Sequence, residues 1–277
     1  MPLNKSSEEI KEAVKEHYGS AISGQTSCCG PQTFDPKAAR RFAEMAGYSE
    51  NELAAMPEGV TSFGCGNPVN FIDVTKGQTV LDLGSGSGLD LILASSKVGT
   101  QGKVIGLDMT PQMIDVCKEN LKAAGVTNAE VRIGEMEKMP VADCETDWII
   151  SNCVINLSPE KEKVFAEALR VLKPGGRMLV SDIVTLNLSD ELRDNITAWV
   201  GCIAGAVEED EYIRLAREAG FEDVAIIDKL VYDGPSLKAL ANDACGCGPN
   251  DVALTTAVVD KYAGKVATVK LSARKPE

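Results

Sequence analysis

Histidine is almost missing from this 277-residue chain, where His17 is the only one. A zinc site built on imidazoles is effectively excluded on that count, and so is a Ser-His-Asp triad, whose one histidine would have to come from the N-terminal helix. Positive charge is short as well, with 28 Lys and Arg against 41 Asp and Glu, a formal net charge of −13. An acidic surface repels phosphate backbones and no basic stripe overrides it, so nucleic acid is not an expected partner. No apolar run approaches the roughly 18–20 residues that span a bilayer, so no membrane association is expected either. The opening stretch MPLNKSSEEIKEAVKEHYG is charged and helix-patterned, without the apolar core of a secretion signal. The expected address is the cytoplasm. There the nine cysteines should be mostly reduced thiols, available for metals, catalysis or redox exchange.

What is present reads as an ordinary globular chain, 44% hydrophobic and 25% charged. Its length allows one α/β domain of roughly 150–200 residues and a smaller second region. Ser6 and Glu9 fit a capping box opening a helix over 6–18, with Ile10, Val14 and Tyr18 on one face and Gly19 as its stop. Residues 23–33 are loop-like, a short helix is expected over 36–46, and Ser49 with Glu52 opens a brief turn. In GCGNP, Asn67 and Pro68 look like the cap and first turn of another helix.

From residue 79 strands and helices alternate. Strands are expected over 79–84, 103–108, 129–134, 147–152 and 177–184. Helices are expected from the SGSG turn to about 98, from Thr110–Pro111 to 124, and from Pro159 to 172. This succession predicts a parallel, doubly wound sheet. Helices over 189–200 and 208–219 and strands over 224–232 and 265–274 then form a smaller C-terminal α+β region.

LDLGSGSGLD at 81–90 is the strongest local signal. A strand delivers Asp82, and Gly84, Gly86 and Gly88 turn tightly into a helix, leaving room for a ligand against the backbone. Such a glycine triplet also serves dinucleotides. Three features favour S-adenosylmethionine. Asp108, followed by Met109, ends the second strand where it can hold both ribose hydroxyls. Asp82 precedes the glycines where a pyrophosphate would be repelled. GEMEKMP at 134–140 places Glu135 and Met136 to frame an adenine.

With so little histidine no general base stands out, and a soft acceptor with its own lone pair would need none. Trivalent arsenic held by thiolates is such an acceptor, since soft ligands select soft centres. Cys153 follows Asn152 at the carboxyl end of the fourth strand, the edge where doubly wound sheets bind ligands. Cys65 sits between two glycines, and Cys202 lies in GCIAGA between two expected helices. Each could also be a small buried hydrophobe, which is the reading Cys117 receives among Met113 and Ile114. Cys28, Cys29, Cys245 and Cys247 lie in glycine-containing loops, where a zinc site, redox partners or an arsenic relay are all open.

The ordered set YGSAISGQTSCCG (18–30), FGCGNPV (63–69), LDLGSGSGLD, SNCVINLSPEK (151–161) and GCIAGAV (201–207) resembles the arsenite methyltransferase family. The resemblance covers most of residues 10–230. It implies the class I S-adenosylmethionine methyltransferase fold, a Rossmann-like doubly wound sheet. It divides the chain into an N-terminal helical segment and cofactor lid (1–75), a cofactor-binding core (76–185), and arsenic-site helices with the α+β region (186–277). It implies that Cys153 and Cys202 bind As(III), and that Cys65 completes the site and exchanges disulfides with Cys28. Tyr18 and Gly19 would belong to a segment folding over the cofactor. Asp108, Glu135, Met136 and Asn152 would contact its ribose, adenine and sulfonium. The implied reaction methylates arsenite or thiol-conjugated As(III), with glutathione or thioredoxin as reductant. A small organic acceptor, and a non-catalytic thiol module that sequesters metalloids, remain the rival readings.

Overall fold

The computed structural model describes residues 6–23, 40, 43–44, 46–57, 59–60, 64–187, 205–237 and 261–277. Helix α1 (Ser7–Ile22) starts at the expected capping box, in which the Ser6 hydroxyl accepts from Glu9 N–H and the Glu9 carboxylate accepts from Ser6 N–H. It does not stop at Gly19. That residue is buried against α4 (Pro111–Ala123), where a β-carbon would lie 3.0 Å from Gln112 Oε1, and the helix runs on to Ile22. Glycine's weak helix propensity is overridden here by close helix packing. A short α2 (Glu50–Ala54) has its own capping box from Ser49 and Glu52. Asn67 caps a 3₁₀ turn over Pro68–Phe71. The helices expected over 36–46 and 189–200 lie largely or wholly outside the described residues.

Seven strands form one sheet: β1 (Thr79–Leu83), β2 (Lys103–Asp108), β3 (Ala129–Ile133), β4 (Thr146–Asn152), β5 (Leu172–Thr185), β6 (Glu222–Val231) and β7 (Val266–Arg274). Their order is β3-β2-β1-β4-β5-β7-β6. The first five in chain order pair in parallel, as the alternation of strands and helices predicts. The last strand departs from an all-parallel sheet: β7 runs antiparallel between β5 and β6. Helices α3 (Leu89–Val98), α4, α5 (Lys161–Val171) and α6 (Glu209–Glu218) cover the two faces.

Period two sorts the strand side chains between those faces. Leu81, Leu83, Ile149, Met178 and Val180 pack with Phe165, Ala168 and Tyr212 on the α5–α6 side. Val80, Val104, Ile150 and Leu179 pack with Leu91, Cys117 and Leu121 on the α3–α4 side. Chain order reverses direction between β1 and β4, so their carboxyl ends open a crevice. No helix among the described residues is long and apolar enough to cross a membrane.

Candidate active site

The crevice begins with the turn between β1 and α3. Gly84, Gly86 and Gly88 have φ of +67°, +50° and +96°, a region that side chains other than glycine rarely adopt. The turn is tied to the next strand through Asp108. Its Oδ2 accepts from Gly86 N–H at 3.0 Å and its Oδ1 from Thr110 N–H at 2.8 Å. The Thr110 hydroxyl and Met109 N–H donate to the same carboxylate.

Three carboxyls wall the crevice: Asp82 on β1, Asp90 in the first turn of α3, and Asp108 at the end of β2. Burial, and then the charges of Asp90 and Asp108, push Asp82 well above the usual carboxylate range. Asp90 is raised to about 6 by burial, although hydrogen bonds from Tyr48 and Asn152 pull it down. Asp108 is also raised by burial, against the N–H donors that hold its charge. Buried acids crowded this way attract a cation and reject a phosphate. Leu107, Met109, Met113 and Met136 supply an apolar wall beside them. Across the opening, Val14 and Tyr18 reach in from α1, four residues apart on one helix face.

The far end of the crevice holds sulfur. Asn152 ends β4, and Cys153 follows with φ +60°, turning the chain out of the strand into a 3₁₀ turn over Ile155–Leu157. Cys153 N–H donates to Ser181 O at 2.8 Å on β5, which fixes that backbone. Cys153 is joined to Cys65 in a disulfide, with the α-carbons 5.9 Å apart. Cys65 N–H also donates to Cys153 Sγ at 3.1 Å. The glycines on each side of Cys65 are demanded by close approach. A β-carbon at Gly64 would lie 2.2 Å from Asn152 Cγ, and one at Gly66 would lie 1.9 Å from Ser181 Oγ.

The family described as "Methyltransferase domain" matches residues 74–220. The chain is 42% identical over 241 residues to the arsenite methyltransferase of Halobacterium salinarum, covering 83% of this chain and 61% of that protein. It is 32% identical over 225 residues to the Homo sapiens arsenite methyltransferase, covering 77% and 58%. A crystal structure of an arsenic(III) S-adenosylmethionine methyltransferase from Chlamydomonas reinhardtii superposes with a TM-score of 0.61 at 30% identity, over 88% of this chain and 74% of that one. The chain belongs to the arsenite methyltransferase family. It spans about three fifths of the length of the Halobacterium and human relatives.

The crevice suits S-adenosylmethionine, the donor in the name of the Chlamydomonas enzyme. S-adenosylmethionine carries an ammonium and a sulfonium, which the three aspartates complement, and a flat base that the methionine wall can cover. Of the residues singled out in the sequence, Tyr18, Asp82, Gly84, Gly86, Asp108, Met109, Met136, Asn152 and Cys153 line this one crevice. Others stand off it. Gly88 caps α3, where a β-carbon would lie 2.9 Å from Cys117 Sγ, and Gly19 packs on Gln112. The Glu135 carboxylate turns to Lys11 at 2.8 Å and to Lys15 at 3.7 Å. Cys65 is not among the lining residues and is joined to Cys153, which is. Cys28, Cys29, Cys202, Cys245 and Cys247 lie outside the described residues, and Cys65 has Cys153, not Cys28, as its disulfide partner here. Cys117 is buried, and burial pushes its thiol up to about 12, as suits a core residue.

Sequence reasoning gave no role to Asp90 or Tyr48, and read Thr110 as a helix start and Met113 as core beside Cys117. Asp90 stood inside the glycine motif, and its place in the first turn of α3 was a usable signal. Tyr48 follows a glycine in a segment without periodicity, and only the fold reveals its partners.

Proposed function

We propose that this protein transfers methyl groups from S-adenosylmethionine to trivalent arsenic bound by the thiolates of Cys65, Cys153 and Cys202. The observation that carries this reading is that one strand end serves both needs. Asn152 and Cys153 are adjacent at the end of β4 and line the same crevice as Asp82 and Asp108. Asp108 would hold the ribose, Asp82 the ammonium, Met136 and Met109 the base, and Asn152 the sulfonium. Tyr18 would close over them from α1. Bound there, the donor supplies an electrophilic methyl group. The protein's task is then to aim the arsenic lone pair at that methyl in line, and positioning is its main catalytic device.

The Cys65–Cys153 disulfide must open before both sulfurs can ligate arsenic, which assigns a reductant such as glutathione or thioredoxin to the cycle. Cys28 would exchange disulfides with Cys65. A reducing compartment, the cytoplasm, fits this requirement.

The test is one incubation of purified protein with arsenite, S-adenosylmethionine and a thiol reductant, with arsenic species separated and counted. Methylated arsenicals should form with the wild type and not with Cys153→Ser. No product from folded protein that binds S-adenosylmethionine would overturn the arsenic reading in favour of a small organic acceptor.

A further inference from the structure

Tyr48 stands outside the crevice, 3% exposed, on the segment leading into α2. Its hydroxyl donates to Asp90 Oδ1 at 2.7 Å and accepts from Asn152 Nδ2 at 3.0 Å. The Asn152 amide nitrogen also lies 3.2 Å from Asp90 Oδ2 and 2.5 Å from Gly66 O, so its two hydrogens are shared among three acceptors, while its Oδ1 accepts from Gly66 N–H at 3.1 Å. One side chain thus grips both polar groups of the residue after Cys65 and is itself the residue before Cys153. The same amide leans on the aspartate that walls the donor crevice.

We propose that Tyr48 is a positioning residue that locks the donor crevice to the Cys65 loop: its hydroxyl, held between Asp90 and Asn152, makes the acidic wall and the sulfur pair one unit. The proposal rests on reading the crevice as the S-adenosylmethionine site and is independent of arsenic. A phenylalanine would fill nearly the same volume, so packing alone does not explain a buried hydroxyl with two partners; an unpaired one there would be costly. The groups facing Asp90 are Asp82 on β1, Glu52 on α2, Asn152 on β4 and Tyr48 itself. Glu52 and Asp82 oppose its charge, and Tyr48 and Asn152 donate to it. Removing the Tyr48 donor therefore shifts the titration of Asp90 upward.

The experiment measures S-adenosylmethionine affinity by calorimetry from pH 5 to pH 8, in wild type and Tyr48→Phe. It also measures the equilibrium of the Cys65–Cys153 pair against glutathione. With the wild type, affinity should fall on acidification with a midpoint near 6. In Tyr48→Phe that midpoint should rise by about one pH unit, and the sulfur pair should shift toward the dithiol by roughly threefold or more as the grip on Gly66 loosens. A uniform loss of affinity at every pH with an unmoved thiol equilibrium would reduce Tyr48 to packing and overturn the proposal. Should Tyr48→Phe not fold, Asp90→Asn carries the test. It should erase the acid limb and shift the thiol equilibrium in the same direction, and an intact limb or an unmoved equilibrium would overturn the linkage. Because no arsenic is present in either measurement, failure of arsenite as substrate would leave both outcomes readable.

Discussion

Gly66 and Asn152 exchange two hydrogen bonds across 86 residues of sequence: Gly66 N–H donates to Asn152 Oδ1 at 3.1 Å, and Asn152 Nδ2 donates to Gly66 O at 2.5 Å. The loop that makes this exchange also lies too close to Ser181 on β5 for a β-carbon. At Gly66 that atom would sit 1.9 Å from Ser181 Oγ and 2.8 Å from Ser181 Cβ. Gly66→Ala should therefore destabilise the protein by about 1–3 kcal/mol and lower the yield of the Cys65–Cys153 cross-link. Thermal unfolding and thiol counting read the two effects. Adding Ser181→Gly should return part of both losses. If the single variant keeps wild-type stability and thiol count, the close approach does not govern this loop.

Cys153 occupies a left-handed backbone position at the exit of β4 and lines the crevice. Cys153→Ser keeps the shape of the side chain but offers arsenic, at the proposed site, a hard alcohol in place of a soft thiolate. Arsenic methylation should fall by a factor of about 100 or more, the loss expected when one of three ligands is replaced. S-adenosylmethionine affinity should stay within about threefold, because no charge in the donor crevice has changed. Wild-type turnover in the variant would refute the thiolate site.

Asp108 presents two oxygens already aimed by Gly86 and Thr110. With Asp108 holding the ribose as proposed, Asp108→Ala deletes charge-assisted hydrogen bonds to it and should weaken S-adenosylmethionine binding by about 1.5–3 kcal/mol, or roughly 10–150-fold in Kd. Calorimetry checks it. An unchanged Kd would move the ribose contact to another residue.

Much of this site was legible because it lies on periodic elements. The apolar strands over 79–84 and 147–152 fixed the sheet, and the glycine triplet fixed the turn, so Asp82, Asp108 and Asn152 could be placed at strand ends by counting. Elements whose form depends on partners far along the chain were not legible. The antiparallel insertion of β7 follows from its pairing with β5 and β6, not from any local pattern in residues 266–274. Gly19 looked like a helix stop because its contact with Gln112 is 93 residues away. Glu135 was placed by its strand end alone, and the ammonium of Lys11 takes its carboxylate.

That same Lys11 gives a further prediction. Its ammonium lies 2.8 Å from Glu135 and 3.7 Å from both Glu137 and Glu160, so one cation ties α1 to the two loops that border the crevice. Burial alone would lower the pKa of Lys11, but the three carboxylates outweigh it and raise it. Lys11→Ala should loosen the helix that carries Val14 and Tyr18 and weaken S-adenosylmethionine binding by about 1–2 kcal/mol, a discounted value for a network partly open to water. The gap between wild type and variant should narrow as salt rises from about 50 to 300 mM, because screening weakens only the intact network. A gap that ignores salt would mean that the helix is held by its apolar face instead.

Asp182, buried on β5, accepts from Tyr212 Oη at 2.9 Å, from Asn156 N–H at 3.1 Å and from Ile183 N–H at 3.0 Å. Burial nevertheless raises it to about 7, with these donors and the nearby Lys161 ammonium opposing the rise. An unfolded aspartate titrates near 4. Between about pH 4 and 7 the folded protein therefore keeps a proton that the unfolded chain has lost, so this group's contribution is fully present below pH 4 and is lost as pH rises through 7. The span corresponds to up to about 4 kcal/mol. Asp182→Asn removes the titration while keeping the shape. The amide carries a fixed penalty where the carboxyl accepted hydrogen bonds, but that penalty does not vary with pH. Urea unfolding of both proteins at pH 5, 6, 7 and 8 should show the variant gaining on the wild type at each step, with most of the gain complete by pH 8. Parallel stability curves would mean that Asp182 is ionised throughout, held so by Lys161 and Tyr212.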